Sequence, residues 1–219
     1  MNNKITFLQC GIFLVFIAVM ALLSFLSLSL SGPASGLLLK EGGVVESASA
    51  LGYFFCIAFL LYMGTKSTLK SHWYMHVIFL AMAFRELDFD KRFTSTGVLK
   101  SKFIVAEDVG LTAKVIGMSA VLILLASVFI WARRHAREFF SGVFKLQASS
   151  WAAGFAMFFV LFTKSIDGLA RKLEPFGIEV STNIQLLAGR TEEIFELGIP
   201  ITLLYAIFLY WRSFKAPQN

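Results

Sequence analysis

Long apolar stretches and short polar connections alternate along the whole chain. A hydrocarbon core of about 30 Å requires roughly 20 apolar residues of helix, and each span must satisfy its own backbone hydrogen bonds. The pattern therefore predicts an all-α, polytopic membrane bundle of about six transmembrane helices, forming a single domain over 1–219. The predicted spans are 5–30, 44–64, 72–90, 115–131, 150–169 and 191–211.

The composition favours a membrane protein over a soluble one. Of the 219 residues, 57% are apolar and 24 are Phe, and the mean hydropathy is +0.73. The stretch 5–30 is far longer than the ~7–15 apolar residues of a cleavable signal peptide, so we expect a retained helix there. Cys10 and Cys56 lie inside apolar stretches and are expected to pack as small hydrophobic side chains.

Basic residues occur in short clusters beside the apolar stretches. The formal net charge is +6, but this placement favours membrane lipids with anionic headgroups as partners rather than nucleic acid. One side of the predicted topology holds nearly pure basic loops with a single acid, Glu138, and also holds both termini. The excess of positive charge in its short loops predicts that this side is cytoplasmic. Four tryptophans also lie at the predicted cytoplasmic ends of their helices: Trp73, Trp131, Trp151 and Trp211.

Nearly all the acids lie on the opposite side, and four predicted helices bring ionisable residues to their ends there. These residues are Glu41 and Glu46, then Arg85, Glu86, Asp88 and Asp90, then Lys164, Asp167 and Arg171, and finally Glu192, Glu193 and Glu196. Charges at membrane depth are costly unless they face one another or water. The pairs Glu86/Asp90, Lys164/Asp167, Asp167/Arg171 and Glu192/Glu196 have the three- or four-residue spacing that shares a helical face. We therefore expect an acid-rich polar pocket opening away from the cytoplasm.

Carboxylates from several helices provide the oxygen ligands that a cation prefers, and a close carboxylate pair can also carry a proton. The predicted cation- or ligand-binding residues are Glu46, Glu86, Asp90, Asp167, Glu192 and Glu196, with Arg85, Lys164 and Arg171 as charge partners. For a divalent metal cofactor, the candidate ligands are Glu86, Asp90, Asp167 and Glu196. The leading hypothesis is a pocket that binds a cation, and through it a lipid or another small ligand.

Two alternatives belong to other functional classes. One is a metal-dependent hydrolase or transferase acting on a lipid, in which one carboxylate is the general base and the others hold the metal. The other is a structural or interaction subunit, in which the same charges form a salt-bridge network that locks the helices together.

Three smaller features accompany the charged cluster. Pro200 is expected to bend the sixth helix close to Glu196. The small residues Ala48, Gly52 and Cys56, spaced by four, predict a close helix contact on the second helix. His72 and His76 have a metal-compatible spacing, but only His135 is available to join them, so they are expected to be interfacial side chains.

Three motifs resemble a loosely defined group of bacterial multipass inner-membrane proteins. They are KEGGVVE over 40–46, FRELDFDKRFT over 84–94 and EEIFEL over 192–197. The resemblance implies a bacterial inner-membrane location and a shared acidic site, with no reaction attached. A fainter likeness of architecture is to ceramidase and adiponectin-receptor membrane hydrolases, but the histidine pair expected on a late helix is missing here.

Overall fold

The computed structural model describes residues 6–29, 38–39, 42–89, 97–98, 103–106 and 109–215, and within these ranges the chain is helical and forms no β-strand. The helices are α1 (Phe7–Ser27), α2 (Val44–Met63), α3 (Lys66–Ser71), α4 (Trp73–Glu86), α5 (Leu111–Phe144), α6 (Ala148–Ile166), α7 (Leu169–Leu173) and α8 (Thr182–Lys215). A single 3-10 turn, Glu174–Phe176, follows α7. The predicted all-α fold is confirmed.

Helices α1, α2, α5, α6 and α8 are long and apolar enough to cross a membrane. The 21 residues of α1 extend about 31 Å, which matches the hydrocarbon core of a bilayer. Most of the surface of α1 and α5 is apolar and exposed, as expected for helices that face lipid. The chain is a multipass membrane protein.

The predicted third span, 72–90, is shorter in the structure. Helix α4 has 14 residues, about 21 Å, and ends at Glu86. It stops there because Asp88 has a φ of +46°, in the left-handed region that aspartate tolerates better than most residues. Beyond this end, the fully buried Phe103 packs against Gly117 of α5 and fills the space next to that helix. Asp90 lies outside the described residues.

Two helices are longer than their predicted spans. Helix α5 continues through 132–144, which was predicted as a connection, and α8 begins at Thr182 rather than near 191. Hydropathy marks where the apolar part of a helix ends, but the charged residues that follow Trp131 are themselves good helix formers. The helix therefore continues past the apolar stretch.

Helix α8 lies at the centre of the bundle and packs against α6, α2 and α1, while α4 lies between α2 and α5. The core surrounds α8 and includes Met20, Tyr53, Phe79, Phe159 and Ile199. Gly198 of α8 is needed here because a Cβ atom would lie 3.0 Å from the Met20 side chain and 3.3 Å from Phe159.

Contacts between helices define two ends of the bundle. At one end, which we call the acidic end, Arg190 of α8 donates a hydrogen bond to the carbonyl of Ser27, the last residue of α1. At the other, the basic end, the Tyr74 hydroxyl of α4 lies 2.8 Å from His135 Nε2 of α5, and Arg134 donates to the Ser71 carbonyl. The acids of α2, α4 and α8, and Asp167 directly after α6, lie toward the acidic end.

Candidate functional site

Glu196 is the centre of an ion-pair network at the acidic end. Its side chain is only 8% exposed, and its Oε1 lies 2.6 Å from Arg85 Nη2 of α4. The same oxygen lies 3.6 Å from Lys164 Nζ of α6. One carboxylate on the central helix therefore joins three helices, and its charge is matched by two cations.

Lys164 faces three acids at once. Its Nζ lies 3.4 Å from Asp167 Oδ2, 3.7 Å from Glu192 Oε1 and 3.6 Å from Glu196 Oε1. Lys164 lies in the last turn of α6. It faces the segment of α8 that carries Glu192 and Glu196. The structure thus brings together the predicted partners Lys164, Asp167, Glu192 and Glu196.

The negative charge of Glu86 is balanced by a nearby cation much less well than that of Glu196. This residue is 5% exposed, and its Oε1 lies 3.9 Å from Arg85 Nη1. Among the described residues, Arg85 is the cation within ion-pair distance of Glu86, and the other terminal nitrogen of that guanidinium is already bound to Glu196. Two buried carboxylates therefore share one arginine.

Tyr53, which lies close to this network, was not predicted from the sequence. Tyr53 of α2 is fully buried, and its hydroxyl is within electrostatic range of Glu86, Arg85 and Glu196. That hydroxyl finds no hydrogen-bond partner among the described residues, although a buried polar group is normally paired. The available signal was spacing: Glu46, Ala50 and Tyr53 follow the four- and three-residue steps of one helical face.

A cavity of about 100 Å³ lies beside Glu86, between the start of α2 and the end of α4. Its lining contains three acids, two small residues and one leucine: Gly42, Glu46, Ser47, Glu86, Leu87 and Asp88. Glu46 accepts a hydrogen bond from the Gly42 backbone N–H. Gly42 has a φ of +79°, which favours glycine and brings that N–H to the Glu46 side chain.

One backbone hydrogen bond of α8 is missing at Glu196, although the helix is continuous there. Pro200 lacks an N–H, so the Glu196 carbonyl loses the donor that an unbroken helix would supply. The ring of Pro200 packs against Gly52 of α2, where a Cβ atom would lie 2.7 Å away. The Cys56 thiol donates to the Pro200 carbonyl at 3.6 Å. The contact predicted from the small residues of α2 is therefore a contact with this proline.

One predicted member, Arg171, does not join the cluster. Helix α6 ends at Ile166 and Gly168 adopts a φ of +58°, so Asp167 and Arg171 do not share a helical face as predicted. Arg171 instead folds over Gly168 and lines a separate cavity. Glu41 and Asp90 lie outside the described residues.

The structure does not support the predicted metal-ligand set. In the part of the chain that is described, no three His, Cys, Asp or Glu side chains converge as metal ligands. Of the predicted ligands, Glu196 is bound to Arg85 and Lys164, and Asp167 is bound to Lys164. Oxygens that are paired with ammonium and guanidinium groups are poorly placed to coordinate a divalent ion as well.

The three histidines lie together at the basic end but face different partners. His72 Nδ1 lies 2.8 Å from the Ser71 hydroxyl, and His76 Nδ1 lies 3.4 Å from the His72 carbonyl. His135 is bound to Tyr74, as described above, and its ring stacks on that of His72. Their position at the membrane interface remains a prediction.

Comparison with known proteins gave no relative on which to base an assignment. No family model, no curated protein and no solved structure matches this chain.

Proposed function

We propose that this membrane protein binds a small monovalent cation in the acid-lined cavity between α2 and α4. Glu86, which lines the cavity, is the principal anion of the site. Tyr53 is not part of the lining, but its buried hydroxyl has no hydrogen-bond partner among the described residues, and we assign its oxygen as a neutral ligand that approaches the ion from α2. The observation that carries the proposal is the buried Glu86 carboxylate, whose neighbouring arginine is bound to another acid. With the location implied by the motifs, this acidic end faces the periplasm of a bacterial inner membrane.

Arg85 is the cation shared by the two buried acids, and it pairs more closely with one of them. Its Nη2 lies 2.6 Å from Glu196, whereas its Nη1 lies 3.9 Å from Glu86, so the stronger pair is with Glu196. A buried carboxylate without a closely matched cation is costly in a low-dielectric interior. A bound cation next to Glu86 would remove that cost and give the Tyr53 oxygen an electrophilic partner.

Size and ligand type favour a monovalent ion or a small ammonium group. The cavity of about 100 Å³ has the volume of a few water molecules, each of which occupies about 30 Å³ in the liquid. A divalent ion typically requires six or more oxygen ligands in a fixed arrangement. Of the three acids in the lining, Glu86 is the buried one, at 5% exposure, and one buried carboxylate suits a single positive charge.

The test is a titration of the purified protein with methylammonium chloride, in which isothermal calorimetry measures the heat of binding. Wild-type protein is expected to bind methylammonium, and the Glu86→Gln variant to bind about tenfold more weakly or not at all, since one charge-assisted contact contributes about 1.5–3 kcal/mol. Glu138→Gln, at the basic end, is the matched control and should bind as wild type does. Equal binding by the Glu86→Gln variant would reject the proposal.

A second role is supported for the other half of the cluster. Glu196 pairs with cations from α4 and α6 and is almost completely buried. This arrangement corresponds to the structural alternative, in which ion pairs hold helices together. We propose that Glu196, Arg85 and Lys164 form the rigid wall of the site, while Glu86 is the residue that exchanges its counter-ion.

A further inference from the structure

A second cavity, of about 280 Å³, lies outside the carboxylate site, between the α6–α7 corner and the first turns of α8. Its lining combines one arginine and one amide with apolar and small residues: Ile166, Gly168, Leu169, Ala170, Arg171, Gln185, Ala188 and Gly189. The proposed function uses none of these residues. From this cavity we infer a binding site for the phosphate headgroup of a membrane phospholipid, with Arg171 as the phosphate ligand.

Arg171 is a cation without an acid. In the ranges that the structure describes, no carboxylate lies within ion-pair distance of its guanidinium, although the neighbouring Lys164 meets three. The guanidinium lies over Gly168, with its Nη2 2.7 Å from the position that a Cβ atom would occupy on that glycine, and Arg171 is exposed where it lines the cavity. An unpaired guanidinium offers two parallel N–H donors, which suit the oxygens of a phosphate.

The level of the cavity in the bundle favours a lipid source for that phosphate. Arg190 of α8 bonds to Ser27 at the end of α1, and α1 has the length of the hydrocarbon core. Gln185, Ala188 and Gly189 stand immediately before Arg190, so the cavity lies at the boundary where lipid phosphates are found. Ile166 and Leu169 line it with apolar surface that suits the glycerol and the first acyl carbons.

The volume of the cavity is also large enough for a lipid phosphate. A cavity of 280 Å³ is several times larger than the ~30 Å³ of a water molecule and accepts a phosphate together with its glycerol. Lys172 does not compete for the phosphate, because its Nζ donates to the Lys164 carbonyl at 2.5 Å. Recognition of the phosphate therefore falls on Arg171.

The test is native mass spectrometry of the full-length protein in detergent, titrated with phosphatidylglycerol. The wild-type protein should retain the lipid, and Arg171→Gln should weaken its binding about tenfold, as expected for loss of a charge-assisted hydrogen-bonded contact. Arg133→Gln, which removes an exposed arginine at the basic end, is the matched control and should have no effect. Equal lipid affinity of the Arg171→Gln variant and the wild type would overturn the inference.

A second variant tests the cavity itself. A Cβ atom on Gly189 would have no neighbour within 4 Å, so Gly189→Leu should fill the cavity without disturbing the fold. We expect this variant to unfold at the wild-type temperature or above, and to lose phosphatidylglycerol binding. Retention of the lipid by a folded Gly189→Leu variant would place the lipid elsewhere and contradict the site.

Two further ligands distinguish a lipid phosphate from a soluble phosphate. Glycerol 3-phosphate has the phosphate without acyl chains, and diacylglycerol has the chains without the phosphate. The inference requires that both bind at least about tenfold more weakly than phosphatidylglycerol, because neither makes both sets of contacts. If glycerol 3-phosphate binds as tightly and depends on Arg171, the site takes a soluble phosphate and the lipid assignment is wrong. Methylammonium binding at Glu86 should be unchanged in the Arg171→Gln variant, so the two proposals fail independently.

Discussion

Glu86 and Glu196 are both buried at the acidic end, yet their surroundings differ. Glu196 lies 2.6 Å from Arg85 and 3.6 Å from Lys164, whereas the nearest described cation to Glu86 is 3.9 Å away. The first carboxylate is therefore a member of a matched network and the second is an unmatched charge. Conservative substitution to glutamine should separate the two roles, because it removes the charge and keeps the shape.

Glu196→Gln is expected to destabilise the protein. It leaves Arg85 and Lys164 without their shared partner, and breaking a fully buried pair costs about 3–5 kcal/mol. Because the side chains of Arg85 and Lys164 are 38% and 43% exposed, water reduces this cost, and we expect a loss of about 1–3 kcal/mol. The free energy of unfolding in mixed micelles measures it. A stability equal to that of wild type would show that the network is not a scaffold.

Glu86→Gln is expected to have the opposite effect on stability. Removal of a charge that lacks a close partner should leave the free energy of unfolding within about 0.5 kcal/mol of the wild-type value, or raise it. The same unfolding assay, performed without added ammonium, gives the comparison with Glu196→Gln. A loss as large as that of Glu196→Gln would mean that Glu86 is also structural.

At the scale of the helices, α2 approaches α8 closely where Gly52 meets Pro200. Gly52→Ala would place a Cβ atom 2.7 Å from Pro200, and overpacking of this kind costs about 1–3 kcal/mol. Gly11→Ala is the control, because a Cβ atom there has no neighbour within 4 Å and alanine favours the helix. The Gly52→Ala variant should unfold at a clearly lower temperature than the Gly11→Ala variant. Equal stability of the two would contradict the close contact.

Helix identity was predictable from hydropathy, but helix ends were not. The apolar stretches identify α1, α2, α6 and the central part of α8, since bilayer thickness determines their length. The end of α4 depends on the left-handed conformation of Asp88, which no periodicity reveals. The extension of α5 past Trp131 depends on helix-forming polar residues that a hydropathy pattern assigns to a loop.

The site was predictable in part for the same reasons. Charges in apolar stretches must find one another, and this constraint was sufficient to select Arg85, Glu86, Lys164, Asp167, Glu192 and Glu196. It could not identify which cation pairs with which acid, since that depends on helix rotation and tilt. Tyr53 was missed because a tyrosine in a span is ordinarily a packing residue, and Arg171 was misplaced because Gly168 turns the chain.

At the scale of the whole molecule, the question is whether the short helix α4 crosses the membrane together with the residues that follow it. If it does, Lys70 and Lys145 lie on one side and Gly177 on the other. We expect a membrane-impermeant maleimide to label Lys70→Cys and Lys145→Cys from the same side, predicted to be cytoplasmic, and Gly177→Cys from the opposite side. Labelling of Lys70→Cys and Lys145→Cys from different sides would show that α4 does not complete a crossing.

The cation site is tested most directly by locating a heavy monovalent ion. Crystals of the protein grown with thallous acetate should show an anomalous difference peak within coordination distance of the Glu86 carboxylate and the Tyr53 hydroxyl, and the peak should be absent from the Glu86→Gln variant. A wild-type structure at the same thallium concentration with no peak beside Glu86, or with an equal peak in the variant, would contradict the proposal that Glu86 binds a cation.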